Sequence, residues 1–161
     1  MKICVLSDTH IPVAAPELPP ELLRGMEGAD LILHAGDIVE LRVLDDLRAI
    51  APVEAVRGNM DRADVQQALP AKKIIPAQGK RIGLVHGSGA PWGVANRVLR
   101  EFEDVDIIVF GHSHHPLNEE RNKVRLFNPG SPTDRRFAPY KSYGIIEITD
   151  DTVKAEIVRL G

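Results

Sequence analysis

A short unbroken apolar run, Ile3-Cys4-Val5-Leu6, stands almost at the start of the chain and gives way at once to Ser7-Asp8-Thr9-His10. Such a run without polar alternation reads as a strand buried on both faces. In open α/β sheets ligands gather outside the carboxyl ends of the strands, where Asp8 and His10 fall. The arrangement recurs four more times along the chain. Leu31-Ile32-Leu33-His34 runs into Ala35-Gly36-Asp37, and Val53 to Val56 into Arg57-Gly58-Asn59-Met60-Asp61. Arg81 to Val85 is followed by His86-Gly87, and Ile107 to Phe110 by Gly111-His112-Ser113-His114-His115.

The segments between the first runs have helical character. Pro19-Pro20-Glu21-Leu22-Leu23 places proline and an acid in a first turn, with Gly28 as a stop. Leu41, Leu44, Leu47 and Ile50 fall at three-residue steps and end before Pro52. A βαβαβ order of this kind argues for parallel pairing in the first half. The second half differs: Ile74-Ile75 and Arg81 to Val85 flank Gln78-Gly79-Lys80 as a hairpin. A helix is expected from Val94 to Phe102. A further run, Val124 to Phe127, leads into Asn128-Pro129-Gly130-Ser131, and a terminal hairpin joins Tyr143–Ile148 to Val153–Leu160. Ser131 to Ser142 is the longest irregular stretch and is expected to border the site.

Composition narrows the classes. The 161 residues suit one domain (1–161), and 43% apolar with 27% charged residues is ordinary for a globular chain. No apolar run approaches the roughly 18 residues that span a bilayer, and no charged leader precedes the first strand. Cys4 is the only cysteine, which excludes an internal disulfide and points to a reducing cytoplasm; within a strand it reads as a small core hydrophobe. A net charge of -3 gives no pull toward nucleic acid or anionic membrane.

The turns together supply Asp8, His10, Asp37, Asn59, His86, His112 and His114. Oxygen and nitrogen donors without thiolate suit Mn, Fe, Co, Ni or Zn rather than an iron–sulfur cluster. Seven donors are too many for one tetrahedral ion and fit two ions sharing a carboxylate. A single Gly-Asp or His-Gly would be read as an ordinary turn; five such turns in one chain are read as a dinuclear metal site. Glycines 36, 58, 87 and 111 let the backbone turn sharply beside it.

Asp8-x-His10, Gly36-Asp37, Gly58-Asn59, His86-Gly87 and Gly111-His112-x-His114 resemble the five motifs of the calcineurin-like metallophosphoesterases. The short length and the Asn128-Pro129-Gly130-Ser131 motif are similar to the small single-domain phosphodiesterase branch of bacteria and archaea. The resemblance implies an α/β fold, a four-layer α/β/β/α sandwich of two mixed sheets flanked by helices. It also implies a ligand set, with Asp8, His10, Asp37 and His114 on one cation. Asp37 bridges, and Asn59, His86 and His112 hold the second, manganese being the favoured metal. The activity implied is hydrolysis of small phosphodiesters by a hydroxide held between the cations, with Asp37, Asn59 and His112 in catalytic roles. Homodimerisation is implied by the same resemblance. Many members carry Gly-Asn-His and then an acid; here Met60 replaces that histidine and Asp61 keeps the acid. A thioether transfers no proton, so activated leaving groups are favoured.

Other residues carry weaker expectations. Asp61 is expected to orient a histidine ligand or cap a helix. Arg57 either reaches a substrate phosphate or forms a surface ion pair, and His115 is expected at the rim. His34 reads as packed, Trp92 as a staple at a helix start, and Arg135 and Arg136 as partners of nearby acids. The rival to a phosphodiesterase is a catalytically weak protein-binding scaffold of the same fold, as in the retromer subunit related to this branch. A phosphomonoesterase is the other alternative, and the absence of a basic stripe weighs against a nuclease.

Overall fold

The computed structural model describes residues 1–161. The first apolar run forms β1 (Lys2–Leu6), and its neighbours β2 (Leu31–His34) and β3 (Val53–Ala55) lie parallel to it. The closing hairpin, β9 (Ser142–Thr149) and β10 (Thr152–Arg159), adds antiparallel to the other side of β1, giving the order β10-β9-β1-β2-β3. The second sheet runs β4-β5-β6-β8-β7, from β4 (Lys72–Ala77), β5 (Lys80–Val85), β6 (Ile107–Val109), β7 (Leu117–Arg121) and β8 (Val124–Asn128). Here β5, β6 and β8 are parallel, while β4 and β7 close the edges antiparallel.

Alternation along β1 shows why the run had to be apolar throughout. Ile3 and Val5 face the second sheet, where they meet Ile82, Leu84, Ile107, Val109 and Phe127. Cys4 and Leu6 face the other way, onto Leu22 of α1 (Pro20–Gly25) and Val43, Leu44 and Leu47 of α2 (Arg42–Arg48). On the far side of the second sheet, Val94 and Val98 of α4 (Val94–Leu99) cover Ile108, Phe110 and Leu126. The result is the α/β/β/α sandwich. Its helices have only six or seven residues, too few to form alone in water. Each buried Leu or Val contributes roughly 1.5–3 kcal/mol, so packing rather than propensity holds them.

An expected boundary shifts, and two elements go beyond the sequence reading. α4 ends at Leu99 rather than Phe102, and Phe102 instead lies over β5, where a Cβ on Gly83 would come within 2.9 Å of its ring. β7, Leu-Asn-Glu-Glu-Arg, carries no apolar pattern because it is a half-exposed edge strand. A further helix, α3 (Ala63–Ala68), buries only Val65. No helix is long and apolar enough to cross a membrane.

Candidate metal centre

The turns leaving β1, β2, β3, β5 and β6 come together at one rim of the two sheets. Backbone hydrogen bonds stitch them: Asp8 N–H to the Gly36 carbonyl (3.0 Å), His10 N–H to that of Asp37 (3.0 Å), and Gly111 N–H to that of His86 (3.0 Å). Side-chain bonds also cross between the sheets, among them one from His112 N–H to Oδ2 of Asp8 (3.0 Å). Five of the seven expected donors, Asp8, His10, Asp37, His112 and His114, have φ between 45° and 74°. That left-handed region is unfavourable for residues with a side chain, at roughly 1–3 kcal/mol each. Such conformations turn the side chains back toward a common centre. Glycine is required where turns touch: a Cβ on Gly58 would stand 2.2 Å from Oδ1 of Asp37, and one on Gly111 1.8 Å from Oγ of Ser7.

Two tight donor groups result, Asp8 with His10 and His114, and Asp8 with Asp37 and His86. Oδ1 of Asp8 lies 3.7 Å from Nε2 of His10, 3.4 Å from that of His114 and 3.8 Å from that of His86. Oδ2 of Asp37 stands between His10 Nε2 (3.4 Å) and His86 Nε2 (3.2 Å). Both carboxylates thus occupy the shared position between the two halves. Asn59 is exposed, and its Oδ1 lies 3.1 Å from His86 Nε2. His112 falls outside the tight groups; its Nε2 lies 2.6 Å from the Gly89 carbonyl and its ring centroid 5.3 Å from that of His86.

Protein partners fix which nitrogen of each histidine is available. A carbonyl can only accept, so His86 donates from Nδ1 to Ala35 (2.7 Å) and presents Nε2. His112 donates from Nε2 and retains Nδ1. His114 gives Nδ1–H to Oδ2 of Asp134 at 2.5 Å, the carboxylate–histidine arrangement that orients metal ligands. His34 spends both nitrogens inside the protein, Nδ1 accepting from Gly36 N–H (3.1 Å) and Nε2 facing Thr9 Oγ1 (3.0 Å). It is fully buried and holds its pKa near 3 chiefly through that burial, so it is neutral and packed as expected.

The residues fit bound metal cations because their own polar groups are mismatched without them. Oδ1 of Asp8 and Nε2 of His10 are buried with no hydrogen-bond partner, a costly condition. Around Nε2 of His86 there are three oxygens and no donor except a proton on the ring itself. Burial would lower the His86 pKa, but the bond to Asp37 and the charges of Asp8 and Asp37 raise it to about 9. His114 behaves alike: burial lowers its pKa, and Asp8 and Asp134 raise it to about 9. Burial likewise opposes ionisation of Asp8, yet the close approach of the His10 and His114 rings, with the charge of His86, holds its carboxyl well below the usual range. Protons therefore stand where divalent cations would satisfy the same oxygens and nitrogens.

Several neighbouring residues do something other than expected. Asp61 orients no histidine and caps no helix; it accepts from the backbone N–H of Asp37 (3.2 Å), Val39 (2.7 Å) and Gly58 (2.6 Å), locking two ligand-bearing turns together. Arg57 donates to the Leu69 carbonyl (3.0 Å) and lines, with Asn59 and His86, a cavity of about 420 Å³. His115, by contrast, is exposed, in line with the rim position expected of it, and its ring faces the Ser113 carbonyl (2.8 Å). Trp92 does not staple α4; it is 76% exposed. The Arg136 guanidinium lies over the Phe137 ring (5.6 Å), and it is the residue's backbone N–H that donates to an acid, Asp134 (2.8 Å). Met60 is 56% exposed at the mouth, and its N–H donates to Oδ1 of Asp37 (2.8 Å), a contact independent of the side chain. Asp134 was not singled out in the sequence; the only signal was its place in the irregular stretch after Ser131. Asn128 supports the histidine turn from beneath, its Nδ2 donating to the Gly111 carbonyl (3.2 Å) and Ser113 Oγ (3.1 Å).

A rim of this kind, built on two facing mixed sheets, defines a class of metal-dependent phosphoesterases, and comparison with known proteins agrees. The model of the calcineurin-like phosphoesterase superfamily domain matches residues 1–151. The chain belongs to that superfamily. Along its whole length it is 38% identical to a probable metallophosphoesterase of Methanothermobacter thermautotrophicus, covering 94% of that protein. Wild-type Vps29 of Entamoeba histolytica, solved in complex with zinc, matches with a TM-score of 0.79 at 28% identity over 99% of both chains. An archaeal phosphodiesterase shares the fold, with a TM-score of 0.74 at 21% identity over 98% of this chain and 100% of that one.

Proposed function

We propose that this phosphoesterase is a dinuclear metal-dependent phosphodiesterase acting on small phosphate esters in the cytoplasm. The observation that carries the reading is the buried, partnerless Asp8 oxygen and His10 nitrogen inside a ring of converging donors. Asp8, His10 and His114 would hold one cation, His86, Asn59 and His112 the other, with Asp37 between them. When bound, the cations supply Lewis acidity toward phosphoryl oxygen and lower the pKa of water toward neutrality. The protein does the rest. Asp61 holds the Asp37 turn through its backbone N–H, and the Met60 N–H fixes Oδ1 of the Asp37 carboxylate. The Asn59 side chain, exposed at the mouth, has amide N–H groups to offer a non-bridging oxygen, whose growing charge they offset. With Met60 in place of histidine, no imidazole stands there to protonate the leaving group, so esters of acidic alcohols and phenols are favoured.

The test is hydrolysis of bis-p-nitrophenyl phosphate with Mn, Ni or Zn added, repeated after chelation and compared with the monoester. Metal-dependent turnover with diester preferred is expected; no rate above background with any metal would overturn the reading. The likeness to Vps29 sustains a second reading, a protein-binding scaffold with little catalysis. The intact set of seven donors weighs against it, because a scaffold has no need of every ligand.

A further inference from the structure

Between His86 and α4 the chain runs Gly87-Ser88-Gly89-Ala90-Pro91-Trp92-Gly93 without helix or strand. Gly87, Gly89 and Gly93 have φ of 97°, 82° and 76°. A glycine-rich segment of this kind has little conformational preference of its own. It nevertheless carries the Gly89 carbonyl that receives Nε2–H of His112. What holds it is Arg97, on α4. Nε of Arg97 donates to the Ser88 carbonyl (2.8 Å), Nη2 to Ala90 (2.5 Å) and Nη1 to Trp92 (3.0 Å). Carbonyls of alternate residues face the guanidinium, and the one between the first two faces His112. The neighbouring glycines leave room for this: a Cβ on Gly89 would stand 3.2 Å from Nε of Arg97, and one on Gly93 3.1 Å from Nη1. A planar fork with fixed donors suits three carbonyls as a lysine ammonium does not.

We infer that Arg97 is a positioning residue for the second cation: by gripping residues 88–92 it holds the Gly89 carbonyl against His112, which fixes the ring proton on Nε2 and leaves Nδ1 to coordinate. The inference rests on the proposed role of His112 as a ligand. The half-site of Asp8, His10 and His114 has its own support in Asp134 and is independent of Arg97.

Two measurements on the full chain decide it. In metal-free protein, long-range ¹H–¹⁵N correlations of the neutral His112 ring should show Nε2–H in the unsubstituted chain and a mixture of tautomers in Arg97→Met. Calorimetric titration with Mn²⁺ alone should show two equivalents in the unsubstituted chain. In Arg97→Met the second should be weakened about ten- to a hundredfold, the range for partners that orient a ligand, with the first within about twofold of its unsubstituted value. Gly89→Ala, which crowds Arg97 from the loop side, should give the same pattern and guards against misfolding of the first variant. Trp92 is the only tryptophan, so its fluorescence anisotropy reports whether the loop has loosened. A loosened loop with an unchanged His112 tautomer, or equal weakening of both cations, would overturn the inference. Fewer than two equivalents in the unsubstituted chain would count against the two-cation reading itself, and the tautomer would then decide the role of Arg97 alone.

Discussion

Asp134→Asn removes one charge from the back of His114 while keeping the side chain's size. In the native protein Oδ2 of Asp134 accepts from His114 Nδ1 at 2.5 Å. Its oxygens also accept the N–H groups of Arg136 (2.8 Å), Phe137 (3.2 Å) and Ala138 (3.0 Å). The amide oxygen of Asn can still serve that backbone or the imidazole, but as a neutral acceptor. A charge-assisted hydrogen bond contributes about 1.5–3 kcal/mol against about 0.5–1.5 for a neutral one, a difference of about 1–2 kcal/mol. At about 1.4 kcal/mol per factor of ten, the cation beside Asp8, His10 and His114 should bind about five- to thirtyfold more weakly. Titration with Mn²⁺ reads the affinity directly, and hydrolysis of bis-p-nitrophenyl phosphate should recover when metal is raised in proportion. Unchanged affinity for that cation, or a loss confined to the other one, would refute the reasoning.

Other expectations concern the scaffold, the protons and the mouth. Asp61→Ala orphans three buried N–H groups at once, those of Asp37, Val39 and Gly58, and should cost about 3 kcal/mol or more in urea unfolding; a loss under 1 kcal/mol (roughly one neutral bond) would contradict the role given to it. In the metal-free protein His86 and His114 hold protons to about pH 9, against an ordinary value of 6.5. Their stabilising contribution is therefore complete below pH 6.5 and lost as pH rises through about 9. The melting temperature in chelator should fall across that window, and a rise would contradict the protonation argument. Met60→His, which restores an imidazole at the mouth, should speed hydrolysis of an unactivated alkyl phosphodiester about tenfold or more, the low end for general acid catalysis at about 10²-fold being discounted for imperfect placement. No gain would remove the explanation offered for leaving-group preference.

The site was legible where its chemistry coincides with strand ends. His86, Asp8 and Asp37 stand at the first, second and third residue beyond their buried runs, so the apolar pattern marked their positions. The arrangement that makes them a centre was not legible, because the left-handed backbone at Asp8, His10, Asp37, His112 and His114 is imposed by contacts between turns far apart in sequence. Asp134 escaped for the same reason, because it works through an irregular segment; Asp61 is singled out by the sequence but its role is not, because it acts through backbone N–H groups that leave no mark in the side-chain pattern. Trp92, by its place before α4, suggests a staple at that helix start, whereas the ring is exposed and its carbonyl accepts from Arg97. β7 was invisible because a polar edge strand is recognisable only from its partner β8.

Anomalous diffraction from crystals grown with Mn²⁺ tests the two-cation centre most directly. Two peaks are expected at the shared rim, one against Asp8, His10 and His114, the other against Asn59, His86 and His112, with Asp37 touching both. No peak at that rim, or a single one at full metal occupancy, would contradict the account.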